Sequence, residues 1–203
     1  MGILDLFRSF KNKEANLSDL NQWWLNDFNR EERKYIVGLY MPMGSQINEI
    51  SVSSINVRYK NEVRFLTNLS DWVDKPESRD LAKKIIFKAY SLENRKLDIL
   101  DKHFLYQSAI KILYKDRSNT SSYNLAVEAC LKQISISNLA KRAFKREYRG
   151  ERLPSHTGFK QLCIIREKDK EYKEAITLCK QAKREGWYGD WDKRIERCQK
   201  KII

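Results

Sequence analysis

Two segments, Phe159-Lys-Gln-Leu162-Cys163-Ile-Ile-Arg166 and Tyr172-Lys-Glu-Ala175-Ile-Thr-Leu-Cys179-Lys-Gln-Ala182, flank the polar run Glu167-Lys-Asp-Lys-Glu171. Phe159, Leu162, Cys163 and Arg166 recur at one-turn spacing, which predicts a single stripe along one helix. Ala175, Leu178, Cys179 and Ala182 make the matching stripe on the second segment. The two are expected to fold as an antiparallel hairpin, with Cys163 and Ala175 small enough to let the axes approach closely. Only seven Gly and three Pro occur in 203 residues, and 33% of the side chains are charged. That composition suits helices with solvated outer faces, so an all-α fold is expected.

The hairpin resembles a tetratricopeptide repeat, whose pattern runs aromatic, Leu, small residue, Tyr, then Ala, then an aromatic. Phe159, Leu162, Cys163, Ala175 and Ala182 match, and Tyr172 opens the second helix. Arg166 stands in place of Tyr, Cys179 in place of the large aromatic, and Trp187 near the usual closing Pro. The resemblance implies stacked helical hairpins that bind a protein or peptide. It places groove-lining residues on the first helix at Thr157, Lys160, Ile164 and Glu167. Family members that clamp acidic C-termini need Asn one turn after Lys, and here Ile164 follows Lys160. The chain as a whole is similar to uncharacterised bacterial proteins that join a Trp-rich helical region to one terminal repeat hairpin, which implies a cytoplasmic setting in a bacterium or phage.

Upstream, Ala109 against Ala126, with Ala129, Cys130 and Gln133, predicts a second, more degenerate hairpin over residues 96–115 and 123–134. Downstream, Trp191, Ile195, Cys198 and Ile202 predict a one-sided terminal helix capped by Asp190, its Arg194 and Arg197 facing water. Such a helix seals the end of a repeat stack. Between the hairpins, Ser137 or Asn138 should start a basic helix to 149, with Ala140, Phe144 and Tyr148 inward and Gly150 ending it.

The N-terminal part divides differently. Residues 2–11 can form a short amphipathic helix, followed by a polar linker to 16. Ser18 should cap a helix carrying Leu20, Trp23, Trp24 and Phe28. Adjacent tryptophans cannot both face one core, so one is expected at an edge. Asn29 with Glu32 forms a capping box for a helix burying Tyr35, Ile36, Leu39 and Tyr40. Residues 42–58 read as a long loop with a short extended piece, the compositional candidate for a functional loop. Helices follow near 60–73, with Val63, Leu66, Leu69 and Trp72 inward, and from a capping box at Asp74–Glu77 through Leu81, Ile85, Ala89 and Leu92. The expected divisions are 1–16, 17–93 and 94–203.

The net charge is +13, and most of the excess lies beyond residue 138. Lys141, Arg142, Lys145, Arg146, Arg149 and Arg152 form a basic patch that would concentrate anionic partners. Nucleic acid bound through phosphates along residues 138–160 is therefore the alternative to a protein partner. No phosphate-binding glycine loop occurs, and no Ser or Cys sits in a nucleophile elbow. His156 at a helix start is expected to satisfy free backbone N–H groups. Cys163, Cys179 and Cys198 with His156 lack any C-x-x-C pair, so core thiols are expected and no metal. No enzyme and no cofactor is expected. The start of the chain lacks a basic leader with a small-residue cleavage site, and Leu6 replaces the Ser or Thr of a myristoylation signal.

Overall fold

The computed structural model describes residues 17–41, 49–57 and 61–202. The helix expected over 2–11, its linker, and residues 42–48 and 58 of the expected loop lie outside them. The described residues form ten α-helices and no strand, an all-α fold, and divide into two compact units between Leu97 and Asp98. Among them no helix is long and apolar enough to cross a membrane.

The first unit holds α1 (Leu17–Asp27), α2 (Arg30–Leu39), α3 (Glu62–Val73) and α4 (Arg79–Ser91). Helix α1 already includes Ser18, so Ser18 is not its cap. Asn29 caps α2 as expected: its side chain accepts from the Glu31 and Glu32 N–H groups, and Glu32 accepts from the Asn29 N–H at 2.8 Å. Both tryptophans are buried, against the expectation of one at an edge. Trp24 donates to the Ser51 carbonyl at 2.9 Å. Trp23 meets Phe28 edge-on at 5.2 Å and lies under the Lys88 ammonium, so a long side chain covers what a second core would otherwise have to cover.

Residues 49–57 explain where the other side of Trp24 goes. Ile50 and Ile55 form an isolated antiparallel bridge around a turn tied by the Ser51 hydroxyl, and Ile55 and Val57 are buried. The Val52 carbonyl accepts from Arg33 at 2.8 Å. This segment is a cover over the tryptophan. The apolar faces of α3 and α4 pack together through Leu66, Leu69, Ile85 and Ile86, each contributing about 1.5–3 kcal/mol by burial. Two side chains expected inward, Tyr35 and Trp72, are exposed; Val73 fills the core in Trp72's place. Pro76–Ser78 is a single 3₁₀ turn with Lys75 at its cap position and no side-chain capping bond from Lys75, and the Ser78 hydroxyl donates to the Val73 carbonyl.

The second unit holds α5 (Ile99–Lys115), α6 (Thr120–Ser135), α7 (Ser137–Glu147), α8 (Thr157–Lys168), α9 (Tyr172–Glu185) and α10 (Trp191–Gln199). Helices α5 and α6 pair as one hairpin and α8 and α9 as another; α6 and α5 both pack on α8, so the hairpins stack. Phe159, Cys163, Ala175, Cys179 and Ala182 are fully buried between them, as the spacing predicts. Gly186 (φ 87°) ends α9 in the left-handed conformation, and the Trp187 N–H reaches back to the Ala182 carbonyl at 3.1 Å. Helix α10 packs on α9 as the terminal seal.

Two details of this unit differ from expectation. Neither Ser137 nor Asn138 caps α7; Ile136 holds that position without a side-chain bond because α7 starts almost directly from the end of α6. Arg194 is buried, drawn in by Glu167, which also takes Arg197 at 2.8 Å.

Candidate functional site

The four residues expected to line a groove on α8 do not act together. Thr157 donates to the Gln107 side chain at 3.2 Å, Lys160 is exposed, and Ile164 is half-buried. Glu167 is neutralised by Arg194 and Arg197. A carboxylate held by two guanidinium groups of the sealing helix belongs to the architecture and has little left for a ligand.

The basic patch is a surface feature. Arg142, Lys145, Arg146, Arg149 and Arg152 are exposed and Lys141 is half-buried. Arg146 lies 3.8 Å from Glu147; among the described residues no ion pair engages Lys141, Arg142, Lys145, Arg149 or Arg152. Ala140, Ala143 and Phe144 turn inward to pack on α5, which leaves the cations on the opposite face of α7.

Helix α7 is an extra element between the two hairpins, and its placement creates a cleft. It lies on α5; Gly150 (φ 82°) then reverses the chain so that residues 151–154 return along the opening. The cleft has a volume of about 290 Å³. Phe104, Phe144 and Tyr148 form its walls, Gln107, Glu151 and Arg152 its polar edge, and Leu153 and Pro154 its end. Phe104 is 37% exposed, and Tyr148, which was expected inward, is 47% exposed. The Pro154 carbonyl accepts from the Tyr188 N–H at 3.2 Å, which fixes the returning strand of chain.

His103 lines this cleft and is itself 1% exposed. Its ring stacks on Trp187 at 5.8 Å and meets Phe144 edge-on at 5.3 Å. Gln133 sets its proton. The Gln133 side-chain oxygen accepts from the Gly158 N–H at 2.6 Å, and its amide nitrogen donates to the His103 carbonyl at 3.0 Å and to His103 Nε2 at 3.3 Å. An amide nitrogen only donates, so His103 Nε2 is the acceptor and the proton sits on Nδ1. Among the described residues that Nδ1–H has no hydrogen-bond partner, and it is closed off from solvent. A buried donor left unpaired costs about 1–3 kcal/mol.

His156 is the N-cap of α8, its Nδ1 accepting from the Phe159 N–H at 3.2 Å, which is the backbone role its position predicts. Its ring lies 5.1 Å from that of His103. Burial lowers the His103 imidazole to about 4; burial, then the neighbouring His103, lowers His156 to about 3. Both are neutral near pH 7, and neither is poised as a general base there.

All four cysteines are buried and free. Cys163 and Cys179 bring their sulfurs to 3.4 Å; the contact with Cys179 and burial hold the Cys163 thiol well above its ordinary value. Among the described residues no three His, Cys, Asp or Glu side chains converge as metal ligands.

Comparison of the chain with protein families, with curated proteins and with solved structures gives no match.

Proposed function

We propose that the protein is a non-enzymatic, tetratricopeptide-like adaptor whose cleft beside α7 holds an acidic segment of a partner protein. The observation that carries this is an aromatic-walled cleft whose edge holds Arg152, a guanidinium with no ion pair among the described residues, next to a helix with an exposed basic face. Apolar contacts in the cleft would decide affinity and the basic face of α7 would speed encounter. At about 290 Å³ the cleft is at the lower edge of small-molecule sites. It suits one side chain and its flanking backbone better than a nucleotide cofactor.

Nucleic acid is the second reading, favoured by the exposed Tyr148 among Arg149 and Arg152. Against it, Trp187 is buried and unable to stack on a base, and Glu151 shares the cleft edge with Arg152. Affinity capture of partners with and without nuclease treatment separates the two. The adaptor reading expects a protein that stays bound after nuclease; loss of all partners on nuclease treatment contradicts it.

A further inference from the structure

Cys163 on α8 and Cys179 on α9 are free and fully buried, and their sulfurs meet across the seam of the hairpin at 3.4 Å. Forming a disulfide of about 2.05 Å asks the two sulfurs to close by about 1.4 Å. Cys130 and Cys198 are also buried and free, but neither makes a sulfur–sulfur contact among the described residues. The contact from Cys163, ahead of the opposing effect of burial, lowers the Cys179 thiol, so Cys179 ionises first. Both sulfurs belong to one core cluster with Trp187 and Trp191, and Ile195 packs against it. Trp191 and Ile195 sit on α10, which at nine residues is the shortest helix described and packs on α9. A short helix that seals a stack opens at lower cost than the hairpin beneath it.

We propose that Cys163 and Cys179 are a modification site, oxidised by a hydroperoxide that enters under α10 to a disulfide that staples α8 to α9. The Cys179 thiolate attacks one oxygen of hydrogen peroxide. The O–O bond breaks, and the departing hydroxide becomes water with the proton that Cys179 gave up. Cys179 is then a sulfenic acid, whose sulfur is attacked by that of Cys163. The S–O bond breaks, and the second hydroxide leaves as water with the Cys163 proton. Two electrons pass from the sulfurs to the peroxide, so two thiols and one peroxide give one disulfide and two waters. Hydrogen peroxide is neutral and little larger than water, so a small opening admits it, whereas a bulky thiol reagent needs the hairpin itself to open. This site goes beyond the adaptor reading and does not depend on it.

The test treats the reduced, folded full chain with hydrogen peroxide, then alkylates the denatured protein and maps it by mass spectrometry. Cys163 and Cys179 should be lost together as one cross-linked pair, lighter by two hydrogens and restored by dithiothreitol, while Cys130 and Cys198 remain alkylated. The cross-linked chain should melt about 5 °C or more higher, because the bond closes a loop in the unfolded chain. Cys163→Ala should lose both the cross-link and the rise in Tm. Glu167→Gln, which releases Arg194 and Arg197 of α10, should speed cross-linking at least about fivefold. The map of the wild-type chain needs no variant, so a poorly folded Cys163→Ala does not rescue the claim. Four thiols still alkylated after peroxide, sulfinic acid in place of the cross-link, or a cross-link to Cys130 or Cys198 overturns the proposal. So does cross-linking that needs denaturant or that runs at an equal rate in Glu167→Gln.

Discussion

The Gln133 side-chain oxygen accepts from the Gly158 backbone N–H at 2.6 Å, and through that contact a residue on α8 determines which nitrogen of His103 on α5 carries the proton. Three helices are thus tied to one imidazole. A Cβ at position 158 would lie 2.9 Å from the Gln133 oxygen and 3.0 Å from the Cys130 carbonyl. The carbonyl belongs to α6 and cannot swing away. Gly158→Ala is therefore expected to cost about 1–3 kcal/mol in denaturant unfolding. A change below about 0.5 kcal/mol would show that the helices are not this close.

Acid should destabilise the chain through its two histidines. Both have folded values, about 4 and about 3, below the ordinary 6.5, so the unfolded state binds protons first. Their stabilising contribution is complete above pH 6.5 and is lost as pH falls from there toward 4 for His103 and toward 3 for His156, at about 1.36 kcal/mol per unit of separation. Unfolding free energies at several pH values should decline across that window, and His103→Phe should lessen the decline. An identical pH profile in the variant would mean that His103 is not buried neutral.

Glu167 and Arg194 are both largely buried, at 13% and 8% side-chain exposure. Removing the carboxylate with Glu167→Gln leaves Arg194 with Asp190 at 3.8 Å as its remaining partner. The expected loss is on the order of 3 kcal/mol, read as a drop in Tm. Replacing both with apolar residues should recover a large part of it. A single variant as stable as wild type would show that α10 is held by its apolar face alone.

Cys163→Ala should cost about 1 kcal/mol or slightly more through a small cavity. A chelator should leave Tm unchanged, and maleimide should label Cys163 and Cys179 only after denaturation, because both are fully buried. A Tm drop on chelation would replace the packing account with a metal site.

Helical spacing carried most of the fold. Phe159, Cys163, Ala175, Cys179 and Ala182 were placed by periodicity because each fills the seam between two helices. The terminal helix was legible for the same reason, but Arg194 was not, since a charge faces inward only when a partner such as Glu167 meets it. Periodicity also misplaced Tyr35, Trp72, Tyr148 and Ile202, all of which are exposed. An apolar stripe marks the core side of a helix, and its outermost members are buried or exposed according to what packs beside them.

The cleft was the least legible feature. Phe144 and Tyr148 at one-turn spacing read as core, and their partners Phe104 and His103 lie on another helix. What joins them is the return of residues 151–154 after Gly150, a tertiary event. Adjacent His103 and Phe104 opposite an aromatic pair was the available signal. The polar relay through Gln133 left none, because a Gln on a buried face has no fixed spacing from the groups it orients.

The account turns on whether cleft or charge decides binding. The decisive measurement is the affinity of the captured partner segment, at about 0.05 M and about 0.5 M salt, for the wild-type chain and two variants. One is Phe104→Ala with Tyr148→Ala, and the other reverses Arg142, Lys145 and Arg149 to Glu. The account predicts that the cleft variant loses about tenfold or more at both salt concentrations, whereas the reversal slows association mainly at low salt. Binding abolished by the reversal, untouched by the cleft variant and falling by orders of magnitude with salt would contradict it.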